Sequence, residues 1–150
     1  MDDQVTSIAL AICRGIPDAW EPQRVVLGPC ECPGNPHGED VAYLSPQKAA
    51  QRLAQLYLAA QALVRGEPVE DPDVRRIALL PDQASNQLSG IVVAAAATVA
   101  WDLQDETGAP IPISADTIGQ LSGEGAAPFA LWIDRVLAPG FAAWVSTLAS

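Results

Sequence analysis

The clearest hydrophobic rhythm in the chain runs through residues 47–66, "QKAAQRLAQLYLAAQALVRG". Ala49, Leu53, Leu56, Tyr57, Ala60, Leu63 and Val64 recur at steps of three and four, while Gln47, Lys48, Gln51, Arg52, Gln55 and Gln61 occupy most of the remaining surface. That spacing predicts an amphipathic helix. Ser45 can accept a bond from a free first-turn amide, Pro46 loses nothing at the first helical position, and Gly66 marks the end. After the acidic connector "GEPVEDPD", the stretch "DPDVRRIALLP" predicts a short helix capped by Asp71 and stopped by Pro81. Asp82 or Ser85 then begins a longer helix, expected to reach about Gln104. Its run from Leu88 to Leu103 is apolar on nearly every side, which predicts a central core helix.

On either side of these helices the pattern is shorter. Residues 4–13, "QVTSIALAIC", are too brief and too uniformly apolar to separate strand from helix. "RVVLGPCEC" and "DVAYL" (40–44) are β-branched or aromatic and flank a Gly/Pro/Asn loop, so they predict an irregular β-hairpin. "DETGAPIPIS" (105–114) predicts a turn and a short extended segment, and Ser114 can cap "ADTIGQL". The last stretch, "APFALWIDRVLAPGFAAWVSTLAS", predicts one helix kinked at Pro139-Gly140, or two helices. The expectation is a mostly α (α+β) fold: a compact helical domain over 1–150 with a small N-terminal β-hairpin. Residues 1–44 form its irregular part, 45–104 its main helices and 105–150 the turn and C-terminal helices.

Composition narrows the function. The 150 residues are 49% hydrophobic and 17% charged, which suits a packed domain and not a disordered one. Eighteen acids against eight bases give a formal charge of −10, with no basic cluster to neutralise phosphates, so nucleic acid is not an expected partner. The chain begins with acids where a secretory signal needs lysine or arginine, and its longest apolar run, "IVVAAAATVAW", is about half a bilayer span. Neither export nor a membrane is expected. With three cysteines and no export signal, thiols or metal ligands are expected in place of disulfides.

The candidate chemistry concentrates in "GPCECPGNPHGEDVAYL" (28–44). Cys30, Cys32 and His37 lie within eight positions on a proline-stiffened hairpin tip, and Cys13 or Asp40 would complete four zinc ligands. The alternative is a turn whose cysteines pack against the domain and whose histidine is solvated. A Cys/His nucleophile ranks below both, because such pairs generally converge from distant parts of a fold. Phosphate-binding glycine motifs do not occur. Asp102, Asp105 and Glu106 cluster after the core helix and read as solvated loop residues, although a helix C-terminus disfavours negative charge. Trp20, Trp101, Trp132 and Trp144 are spread along the chain. Phe129, Trp132, Phe141 and Trp144 give the C-terminal segment more apolar area than one small domain readily covers, so they are the candidate protein-binding patch, with core packing as the alternative.

Two stretches, "CECPGNPHGEDVAYLSP" with the helix behind it and "AWDLQDETGAPIPISADTIGQL", together resemble segments of tail-assembly-chaperone-like and tail morphogenesis proteins of tailed phages of high-GC actinobacteria. They cover about a quarter of the chain. The resemblance implies a mostly helical, non-enzymatic protein that shields apolar segments of a tail component in the host cytoplasm during assembly, or that stays in the virion as a part of the tail or head–tail connector. Its partners would be phage tail or virion proteins, or further copies of itself. It carries no catalytic residues to transfer, and its cysteine–histidine turn falls on Cys30, Cys32 and His37. A small zinc-stabilised adaptor or regulator is the rival from another class.

Overall fold

The computed structural model describes residues 2–16, 18–29, 39–105, 107–121 and 123–148. Helix α1 (Asp2–Cys13) leads through a turn into β1 (Gln23–Pro29) and β2 (Glu39–Leu44). Helices α2 (Pro46–Val64), α3 (Pro72–Ala78) and α4 (Asp82–Ala97) follow, then β3 (Thr98–Trp101), α5 (Ala115–Gln120), α6 (Gly123–Trp132), a π-helical turn (Ile133–Leu137) and α7 (Ala138–Leu148). The architecture is the expected mostly α fold with a small antiparallel sheet. The residues that had no clear period at the N-terminus are helical, and Ile8, Ala9, Ile12 and Cys13 turn one face of α1 into the core.

Helix α2 starts where its cap predicts: Ser45 accepts a hydrogen bond from the Lys48 amide at 3.2 Å. It ends in a Schellman arrangement. The amides of Gly66 and Glu67 donate to the carbonyls of Leu63 and Ala62, with Gly66 at φ 77°, where a side chain would be strained. Its buried line runs through Ala49, Ala50, Ala54 and Leu56, whereas Ala60, Leu63 and Val64 lie exposed because the last turn projects past the neighbouring helices. The alanines let α1 and α4 approach from opposite sides. Arg52 then ties the following connector back to α2. Its guanidinium donates to both Asp71 oxygens, at 2.7 and 3.2 Å, and to Asp73 at 2.8 Å. Asp71 also accepts from the amides of Asp73 and Val74 as the cap of α3.

The expected long core helix is shorter than its composition suggests. It ends at Ala97, and burial is confined to Val92, Val93, Ala94 and Ala97, with the first half exposed or half-buried. Thr98 and Val99 are β-branched, and Thr98 Oγ1 donates back to the Ala94 carbonyl at 2.7 Å, closing the last turn. The chain then leaves as β3 and covers the free edge of β2, giving a sheet of order β1-β2-β3. In the hairpin Gln23 pairs with Leu44 and Val26 with Val41, and the register shifts at Leu27. The inner face carries Val25, Ala42, Leu44 and Trp101 toward α6, where Trp101 meets Phe129 edge-on at 6.2 Å.

The C-terminal segment is one helical rod, not two helices. Pro139 supplies no amide, and its ring would crowd the carbonyl of Arg135 one turn earlier. The chain widens there into the π turn, in which the Ala138 amide reaches Ile133. Immediately after it, Gly140 lies against the backbone of α1, so close that an added Cβ would collide with the Ile12 carbonyl oxygen.

Gly140→Ala is therefore expected to push α7 off α1 and to lower stability by about 1–3 kcal/mol, the range of overpacked helix contacts, measurable by urea denaturation. A loss below about 0.5 kcal/mol would mean that the two helices do not meet as described. Asp71 gives a second test. The Arg52 guanidinium, first among its partners, and the amides of Val74 and Asp73 hold its carboxyl below the usual carboxylate range. A depressed folded-state pKa contributes stability that is complete above the unfolded value, near ~3.9, and is lost as pH falls through the folded value. Asp71→Ala is expected to cost about 1–2 kcal/mol at neutral pH, and Asp71→Asn, which keeps a cap but not the charge, less. The gap between wild type and Asp71→Asn should shrink as pH falls below about 4.

Candidate protein-binding surface

Helix α7, "APGFAAWVSTL", is almost wholly apolar, yet none of its residues is buried. It touches the rest of the molecule along a single seam. Gly140 sits on α1, and Phe141 and Trp144 lean on Tyr57 of α2 with ring centroids 6.2 and 4.9 Å away, both edge-on. Ala138, Ala142 and Val145, at helical spacing, face away from that seam, while Leu148, one turn beyond Trp144, is exposed at the last turn of α7, and Leu131 is exposed on α6. Leu148 is 55% exposed and Leu131 51%. A helix in such a position normally alternates an apolar face with a charged one; here the outward face has no charge between 138 and 148.

Of the four aromatic residues expected on a binding patch, the structure divides two from two. Phe129 and Trp132 belong to the core, the first packed on Trp101 and the second donating its indole N–H to Gln23 Oε1 at 2.8 Å. They anchor α6 to the sheet, because the third strand supplies an inner face that the hairpin alone would not, and they are not available to a partner. Phe141 and Trp144 are half-buried. The exposed Val145, Leu148 and Leu131 take the place of the aromatic pair; the sequence signal for the first two was the absence of any charged position between 138 and 148.

Two concavities flank this rod. One, of about 580 Å³, follows the seam between α1 and α7 and is walled by Ile16, Val136, Ala143 and Trp144. The other, of about 470 Å³, lies between α4 and α6 over Ile118 and Phe129 and is lined mainly by apolar atoms.

The acids after α4 have structural work. Asp102 Oδ1 accepts the Val41 amide at 2.8 Å, fastening the end of β3 to β2. Asp105 Oδ1 accepts from the amides of Thr107 and Ala109 and from the Thr107 hydroxyl, and Gly108 turns at φ 86°, so "DETG" closes a tight loop bridged between Gln104 and Pro110. These bonds, led by the Thr107 hydroxyl, hold the Asp105 carboxyl below its ordinary value. The expected conflict of acids with a helix C-terminus disappears, since the helix stops before them. Glu106 lies outside the described residues.

Cys30, Cys32 and His37 also lie outside the described residues. Of the two residues named as a fourth ligand, Asp40 is buried near the start of β2, and Cys13 is buried between α1 and α2 with its Sγ 3.9 Å from the Pro46 carbonyl oxygen. Among the described residues no group of three metal-ligating side chains forms. Burial pushes the Cys13 thiol up, which disfavours the thiolate that binds metal or attacks electrophiles. Cys13 is expected to resist iodoacetamide at neutral pH until the protein is unfolded, as read by mass spectrometry of the peptide that contains it; fast native labelling would contradict its placement.

No helix among the described residues is long and apolar enough to cross a membrane. Comparison with protein-family models, curated proteins and solved structures finds no match.

Proposed function

We propose that the chain is a non-enzymatic protein-binding factor of phage tail assembly, acting as a chaperone-like cover for apolar segments of a tail component. The observation that carries this is α7, a helix of almost entirely apolar composition with no buried residue. Exposed apolar area of that kind is a liability on a solitary protein and an asset on one that meets a partner. The formal charge of −10 keeps such a molecule dispersed while its sticky face is unoccupied. The tail setting comes from the resemblance of the hairpin and "DETG" segments; the adhesive role comes from the helix.

The exposed apolar side chains of α7 give the test. Val145→Asp with Leu148→Asp should leave the melting temperature within about 2 °C, because surface changes seldom exceed half a kilocalorie. In a phage that depends on the gene, the same double change should yield tailless heads. Normal tails from the variant, or from a phage lacking the gene, would overturn the proposal. Copy number in purified particles separates the chaperone, expected to be absent, from a structural component of the tail or connector, expected in fixed stoichiometry.

A further inference from the structure

We infer that the cleft between α1 and α7 is the docking site for an apolar helical segment of a partner protein whose flanks carry carboxylates. The inference rests on the protein-binding role proposed above and names the chemistry of the partner. The cleft holds about 580 Å³, the size of a specific binding pocket. Its walls are Ile16, Val136, Ala143 and Trp144, and its two charged lining residues are Arg14 from α1 and Arg135 from the π turn.

The charge is the telling feature. In a chain with eighteen acids and eight bases, this cleft is lined by two guanidiniums and no carboxylate. Of the five other arginines four are engaged, Arg52 with Asp71 and Asp73, Arg24 with Glu39, Arg65 with Glu67 and Arg76 with Asp116, and the fifth, Arg75, lies exposed on α3 away from the cleft. Arg14 and Arg135 form no ion pair with any described residue. Two cations without an ion partner among the described residues, at an apolar cleft on an anionic body, select an anion with an apolar core. Repulsion from the remaining surface is screened beyond about 10 Å at ordinary salt, so the local pair decides.

The footprint favours a protein segment over a small anion. A shallower hollow on α1, lined by Asp3, Thr6, Ser7 and Leu10, shares Ala11 and Arg14 with the cleft. Leu10 is 48% exposed beside Ala11, where this more polar hollow joins the cleft. A cleft between two helices, walled by Ile16, Val136 and Trp144, suits the apolar stripe of a third helix.

A fluorescently labelled peptide helix with leucines at i, i+3, i+4 and i+7, flanked by glutamates, serves as the probe, with a lysine-flanked twin and decanoate as controls. The glutamate peptide should bind the full chain, and the lysine twin should bind more weakly by about tenfold, as should the glutamate peptide to Arg14→Glu/Arg135→Glu, from the sum of exposed charge contacts. Ala143→Glu, which places a carboxylate in the cleft itself, should weaken it similarly. All three positions are exposed, and unchanged melting curves verify that the variants fold. No binding of the glutamate peptide, equal binding of both peptides, or unchanged affinity in the variants overturns the inference. Binding of decanoate more tightly than the peptide does so too, assigning the cleft to a small anion. If a phage lacking the gene builds normal tails, the tail-assembly role fails while the peptide result stands; if tails need the chain but the peptide tests fail, only the cleft assignment falls.

Discussion

The contact on which the C-terminal half of the molecule depends is the seat of Gly140 against the Ile12 carbonyl. A glycine there lets the backbones of α1 and α7 touch without side chains between them. The contact follows closely on the π turn over Ile133–Leu137, which makes room for the ring of Pro139 in the next turn of the rod. Phe129 and Trp132 fix the upstream half by burial, so the direction of α7 is set by a buried anchor at one end and a steric minimum in the middle. Along α7 itself little else holds it: the edge-on stack of Trp144 and Phe141 on Tyr57 is the main side-chain contact with α2. The same geometry that seats the helix creates the cleft beside it and leaves its far face uncovered.

Local signals in the sequence were legible where the physics is local. The caps at Ser45, Asp71 and Ser114 all form, the last as a reciprocal box with Thr117, because each needs only residues within one helical turn. The hairpin arms and the "DETG" turn follow from β-branching and from an Asp placed to catch the next amides. The third strand was not legible. "TVAW" continues an apolar run with no break in it, and its conversion to strand depends on an open edge of β2 that sits more than fifty residues earlier. For the same reason the fate of Phe129 and Trp132 could not be read from their helix: the surface that buries them is made by the sheet. Of the candidate surface, the apolar excess of the C-terminal segment was visible, but which side faced out required the seam with α1.

Charge and hydropathy are partitioned between the two halves in a way that neither total reveals. The arginine at Arg52 is consumed in structure, holding the acidic connector onto α2, and Asp102 and Asp105 are consumed in the loop that closes the sheet. The acids that remain on the surface make the body anionic, while α7 contributes no charge to its own outward face. An apolar helix on such a body is protected from self-association by long-range repulsion and still open to a partner at short range, since screening ends the repulsion within a few water layers but leaves apolar contact intact.

A helix with no buried residue is also one whose stability is easily changed. Release of α7 does not require global unfolding: opening the seam uncovers Phe141, Trp144 and Gly140 with the Tyr57 and Ile12 surfaces they cover, and leaves the core around Leu44, Leu137 and Phe129 in place. Whatever binds the seam or the outward face therefore adds contacts to the least anchored element, and mass action converts that binding into order for α7 and not for the sheet. Proline and glycine in the middle of the rod fit this division: they would be costly in a helix required to stand alone, and they are tolerated where α1, seated on Gly140, supplies the packing that propensity does not.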